Sequence, residues 1–187
     1  MKWSSLYAAA RADRLCWLAV LGGVHFCDTL PVILMPADQP SIKTKTLPDG
    51  SVLVQSARGS ARLRRLGTGV LLYVCTGSLS AGFYEPMVTV AQGEMDRARS
   101  VIMFVDGWEL HSVDTGFREA WTEWFKTHKE RFVMRLLVRS KLMEMAASLA
   151  NLFTGLSVIK TYSNCAHWER ACMQDFPTFR RGERVTE

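Results

Sequence analysis

From residue 49 onward, apolar and polar positions follow two alternating rhythms, one of period two and one close to 3.6. Asp49-Gly50 is a turn signal, Ser51-Val-Leu-Val-Gln-Ser-Ala57 is rich in β-formers, and Arg58-Gly59 turns again, so a hairpin is predicted. Ala61 to Leu66 alternates small or apolar residues with Arg, as a half-exposed strand does. Val70-Leu-Leu-Tyr-Val-Cys75 is an unbroken apolar run suited to a strand buried on both faces. Phe83, Met87, Val90, Ala91, Met95 and Ala98 then recur at helical spacing, with Pro86 tolerable in the first turn. Val101 to Val105 is the next buried strand. It is expected to end at Asp106-Gly107 and give way to a loop reaching Val113. Asp114 stands at the N-cap of a strongly amphipathic helix whose Phe117, Ala120, Trp121, Trp124 and Phe125 lie at i, i+3, i+4, i+7 and i+8.

The alternation continues. Phe132 to Val138 reads as a strand, and Ser140 caps a helix carrying Leu142, Met145, Ala146, Leu149 and Phe153 that Gly155 ends. Leu156 to Tyr162 returns as a strand. Ser163 caps a last helix with Trp168, Ala171 and Cys172 inward, and the chain leaves through Pro177. This order predicts an α/β fold: a mixed, largely parallel sheet with flanking helices, entered by an N-terminal β-hairpin. The domain is expected over residues 49–176, with an N-terminal extension over 1–48 and a charged C-terminal tail over 177–187.

The first thirty-four residues stand apart. Lys2, Arg11 and Arg14 precede the apolar run Leu15-Cys-Trp-Leu-Ala-Val-Leu-Gly-Gly-Val24, the order of a secretory signal. No small-x-small cleavage site follows, and a membrane span would carry Asp28 and Pro31 inside it; the carboxylate costs about 2.5–3.5 kcal/mol on insertion scales. Three readings remain open: an upstream extension ahead of a start at Met35, which is preferred; an uncleaved anchor or signal; and a folded helix. A membrane association is expected only if this segment is an anchor.

Composition narrows the function classes. The chain has 187 residues, 48% of them hydrophobic, which suffices for one globular core without disulfides or a metal. Its 23 Lys+Arg against 18 Asp+Glu leave +5. The excess sits at Arg62, Arg64, Arg65, Arg180, Arg181 and Arg184 without interleaved aromatics, so no nucleic-acid partner is expected. Five scattered cysteines form no CxxC, which points to a reduced, cytoplasmic setting. Cys165, His167 and Cys172 do not share one helix face, so no metal is expected, and no cofactor motif occurs.

Asp106, Glu109, His111, Ser112 and Asp114 share one stretch, and a carboxylate, a His and a Ser invite a hydrolase triad. Residues so close in one short loop rarely reach the required line, and no nucleophile elbow is present. His111 and His128 read as surface residues. No enzyme activity is expected.

Phe104-Val-Asp-Gly-Trp-Glu-Leu-His-Ser-Val-Asp-Thr-Gly116, Arg118-Glu-Ala-Trp-Thr-Glu-Trp124 and Val138-Arg-Ser-Lys-Leu-Met-Glu-Met-Ala-Ala-Ser-Leu-Ala-Asn151 resemble the SpoIIAA-like branch of the STAS domains, relatives of anti-sigma factor antagonists. The resemblance spans roughly residues 50–176. It implies a non-enzymatic regulatory or interaction domain with a protein partner, such as a kinase or sigma-factor regulator. Regulatory members carry a phosphorylated Asp-Ser-Ser-Gly loop. The nearest match here, Asp114-Thr115-Gly116, is one residue shorter and makes Thr115 the acceptor. The partner-facing site implied is Asp106, Asp114, Thr115 and Gly116. The alternative comes from a similarity of this branch to SEC14-type lipid-transfer domains: an apolar cavity between helices and sheet, holding a small apolar ligand or lipid and lined in part by Met143-Glu-Met145.

Overall fold

The computed structural model describes residues 41–141 and 159–180. By internal contacts the chain divides into two units, Met1–Asp38 and Gln39–Glu187. The apolar run Leu15–Val24, the Met35 start, the helix expected over 142–153, the first three residues of the strand expected over Leu156–Tyr162 and residues 181–187 of the expected tail lie outside the described residues.

Seven strands form one sheet in sequence order. Strands β1 (Lys43–Thr46), β2 (Val52–Gln55), β3 (Gly59–Gly67) and β4 (Val70–Leu79) are joined antiparallel; β5 (Val101–Val113), β6 (Phe132–Val138) and β7 (Ile159–Tyr162) continue from β4 in parallel. Helix α1 (Tyr84–Met95) connects β4 to β5 after a 3-10 turn at Ala81–Phe83, α2 (Thr115–His128) connects β5 to β6, and α3 (Cys165–Asp175) follows β7. The sheet is therefore mixed and the fold α/β. Its parallel half carries the crossover helices, which parallel pairing requires.

Two departures concern the ends. The sheet begins before the Asp49-Gly50 turn: β1 is Lys-Thr-Lys-Thr, wholly exposed, with no apolar residue to signal a strand. It is an edge strand, where lysines discourage further pairing. At the other end Phe179, in the stretch read as tail, is buried against Phe104 and Trp168 with ring centroids 5.1 and 5.4 Å away. The last helix is capped one residue later than expected, by Asn164, whose side chain accepts from the His167 amide.

The turn chemistry is visible in the hairpins. Gly50 at φ 78° closes the β1–β2 turn, in which the Gly50 amide donates to the Leu47 carbonyl at 2.9 Å. Ser51 donates to Asp49 through both hydroxyl and amide, holding that carboxyl down at about 2.

Side-chain alternation along the central strands sends residues to two cores. Leu71, Tyr73, Cys75, Met103 and Val105 face α1 and α2, where Met87, Ala91, Met95, Trp121 and Phe125 cover them. Val70, Leu72, Phe104 and Leu137 face α3, covered by Trp168 and Cys172. Buried Glu94 ties the end of α1 to the β3–β4 turn, accepting from the Gly69 amide at 2.7 Å and pairing with Arg65 at 2.9 Å. Arg131 donates to the Met95, Ala98 and Arg99 carbonyls and so satisfies the C-terminus of α1.

Candidate functional site

The Asp106–Gly116 segment is a strand, not a loop. Strand β5 continues to Val113; Asp106 pairs with Val74 on one side, and Asp106 and Gly107 pair with Leu137 and Val138 on the other. Gly107 does not have the positive φ that an Asp-Gly hairpin turn uses. The local signal is spent on a bulge instead: from Val74↔Asp106 to Thr76↔Glu109, β5 advances one residue more than β4, and it does so again between Gly77↔Leu110 and Ser78↔Ser112. The Asp106 carboxylate accepts from the Trp108 amide at 3.1 Å within the first bulge. Glycine is suited to position 107 because a Cβ there would crowd the Leu137 carbonyl at 3.0 Å.

This geometry separates the expected site. Asp106 is 3% exposed and alternates with Phe104 on the α3 face, so its charge raises the pKa of Cys172 there as a minor contributor after burial. Five β4 residues separate the partners of Asp106 and Val113, so at about 3.3 Å per residue Asp106 lies roughly 17 Å from Val113, two residues before Thr115. The remaining three stay together as a junction. Asp114 caps α2 through the Phe117 amide at 2.7 Å, accepts from the Ala81 amide at 2.9 Å, and donates its own amide to the Leu79 carbonyl. Gly116 packs so near the 3-10 turn that a Cβ would meet Ala81 at 3.1 Å. Thr115 is the exposed first residue of α2, and its hydroxyl accepts from the Arg118 guanidinium at 3.1 Å.

The hydrolase and metal constellations do not assemble. The Ser112 hydroxyl donates to Ser78 at 2.9 Å, and His111 is exposed on β5. The His128 Nδ1 donates to the Trp124 carbonyl at 2.8 Å, and the ring stacks on that indole at 4.4 Å. Cys172 is buried and its thiol is pushed up mainly by desolvation. Among the described residues no three His, Cys, Asp or Glu side chains converge on a metal position. None of the described helices is long and apolar enough to cross a membrane.

A cavity of about 150 Å³ lies between the sheet and α2. Tyr73 and Cys75 of β4, Met103 and Val105 of β5, and Met134 and Leu136 of β6 form its floor. Phe117, Trp121 and Phe125 of α2 roof it, and Leu110 and Val113, from the part of β5 expected to be loop, close one end. The polar groups on its floor are neutral. The Tyr73 hydroxyl donates to the Met87 carbonyl at 2.7 Å, and burial raises its pKa well above the ordinary phenol value. Burial, with the Asp106 charge second, pushes the Cys75 thiol up to about 12. Among the described residues the charged group lining the cavity is Arg118, joined by Thr122 one turn further along α2.

No family model and no curated protein matches this chain. Among solved structures it is similar to an uncharacterised protein of the DUF3478 family from Shewanella loihica PV-4, with 16% identity and a TM-score of 0.44, over 71% of this chain and 94% of that one. That protein has a SpoIIAA-like fold.

Sequence reasoning missed most of the cavity wall. Leu110 and Val113 were assigned to a loop, and Tyr73 and Cys75 were one undivided apolar run. The readable signal was the alternation after the bulge, with Leu110 apolar between exposed Glu109 and His111.

Proposed function

We propose that this domain is a non-enzymatic binding module that takes a small apolar molecule into the cavity beneath α2. The observation that carries this reading is the cavity itself: a space of about 150 Å³ walled almost entirely by Met, Leu, Val and aromatic side chains. Close-packed cores leave few voids larger than a water molecule, and an apolar space of this size matches a benzene-sized guest. Water gains little there because the Tyr73 hydroxyl is already engaged.

The test uses the full chain with 13C-labelled methionine methyls. Met87, Met103 and Met134 line the space, so titration with toluene is expected to shift their resonances in a saturable way. Unmoved cavity methyls at saturating toluene would reject the reading.

A second reading keeps a protein partner at the start of α2. It is favoured by the exposure of Thr115 and by the adjacent Arg118, which would pair a phosphate placed on that hydroxyl. A kinase or sigma-factor regulator fits this reading by the resemblance. Titrating an identified partner against wild type, Thr115→Ala and Thr115→Glu tests it; equal affinities for all three would remove it.

A further inference from the structure

The cavity carries its own selectivity for charge. We infer that its ligand is an apolar monocarboxylate, with the hydrocarbon body in the space beneath α2 and the carboxylate held at the mouth by Arg118 and Thr122. This rests on the cavity reading proposed above and names the ligand class for that same site.

Three observations lead there. First, Arg118 and Thr122 lie four residues apart on α2, hence on one face, and both line the cavity. Second, their hydrogen-bonding capacity is unspent. One guanidinium nitrogen of Arg118 donates to Thr115 at 3.1 Å; among the described residues its other two nitrogens have no hydrogen-bond partner and Arg118 forms no ion pair. Thr122 is equally open. The Thr89 and Thr127 hydroxyls bond back to the carbonyls of Glu85 and Glu123, four residues earlier, whereas the Thr122 hydroxyl has no hydrogen bond among the described residues. Third, the carboxylate one helical turn before Arg118 is already committed: the two oxygens of Asp114 accept from the Phe117 and Ala81 amides.

These groups favour an anion over a cation or a neutral polar head. A guanidinium presents N–H groups in a fork that matches a carboxylate, and a hydroxyl donates to a third lone pair. Arg118 stands at the end of the first turn of α2, where the helix dipole also favours negative charge. Volume sets the other end of the ligand. A space of about 150 Å³ takes a body near the size of a benzene ring, so short-chain and arylalkyl acids fit and long-chain lipids do not.

The experiment compares 3-phenylpropionate with the neutral 3-phenylpropan-1-ol, which have the same body, by titrating full-length protein and following the cavity methionine methyls. The acid is expected to bind about tenfold or more tighter at low salt, as charge-assisted pairing predicts, with the gap narrowing as salt rises. Arg118→Gln, at an exposed position whose folding is checked by thermal melt, is expected to bring the two affinities within about threefold. Equal binding of acid and alcohol by wild type would leave the cavity reading standing and overturn this inference. A preference for the acid that survives both Arg118→Gln and Thr122→Val would overturn it too. If neither compound moves the methyls, the cavity reading fails for bodies of this size, and this inference falls with it.

Discussion

The two faces of the sheet use the same strands for different ends. On the α3 face Phe104, Leu137, Trp168, Cys172 and Phe179 are each at most 2% exposed. The Trp168 indole donates to the Arg135 carbonyl at 2.9 Å, and the Arg135 guanidinium grips Asp175 through two bonds of 2.8 and 3.2 Å. On the opposite face α2 brings a larger aromatic load, with Trp121 against Tyr84, Phe117, Trp124 and Phe125, yet a space remains under it. Aromatic content therefore does not decide how full a core is. Rings that pack chiefly on one another along a helix can roof a space, while a single indole fixed at both body and nitrogen fills one.

The strongest way to break this comparison is to truncate one indole from each face. Trp168→Ala is expected to cost about 5 kcal/mol, the upper end for aromatic truncations, because it opens a new cavity and orphans the Arg135 carbonyl. Trp121→Ala enlarges a space that already exists and is expected to cost about 3 kcal/mol. Denaturant melts with matched slopes measure both; a larger loss for Trp121→Ala would reverse the assignment of the faces.

The ion pair under α3 comes next. Asp175→Asn leaves the Arg135 guanidinium, only 14% exposed, without its charged acceptor, and a loss of about 2 kcal/mol is expected. The same melts measure it. No loss would mean that Trp168 packing alone holds α3.

Adding one methylene to each face gives a smaller, opposite pair of effects. Val105→Ile extends into the cavity and is expected to stabilise by up to about 0.8 kcal/mol while weakening toluene binding. Val70→Ile pushes into the α3 face and is expected to destabilise by about 1 kcal/mol. Effects of the same sign would show that the two faces are equally full.

The smallest effect lies outside both faces, at the β1–β2 turn. The Asp49 carboxyl, at about 2 when folded, titrates below its unfolded value of about 3.9. Its contribution is therefore complete above the unfolded value and is lost as pH falls through about 2. Asp49→Asn is expected to lower the melting temperature slightly at neutral pH, and the difference should vanish in strong acid. A difference independent of pH would place the effect in turn conformation instead of charge.

Periodicity made much of the scaffold legible. The helix of Phe117, Trp121, Trp124 and Phe125, the buried strands at Val70, Val101 and Phe132, the Asp114 cap and the first-turn place of Pro86 follow from local spacing, because each element must bury its own apolar stripe. β1 was not legible, because an exposed edge strand is defined by its neighbour's hydrogen bonds and not by its own pattern.

What the sequence by itself determined is therefore the α/β class and, among the described residues, most of the succession of elements after β1. Tertiary structure alone decided the course of β5. Asp106-Gly107 signals a turn locally, but pairing on both sides supplies partners for the backbone that a turn would leave to solvent, and bulges absorb the misfit. That outcome buries Asp106 on the α3 face and carries Leu110 and Val113 onto the other. The binding space follows from the same cause, since a cavity depends on how far two layers stand apart, and no single segment encodes that distance.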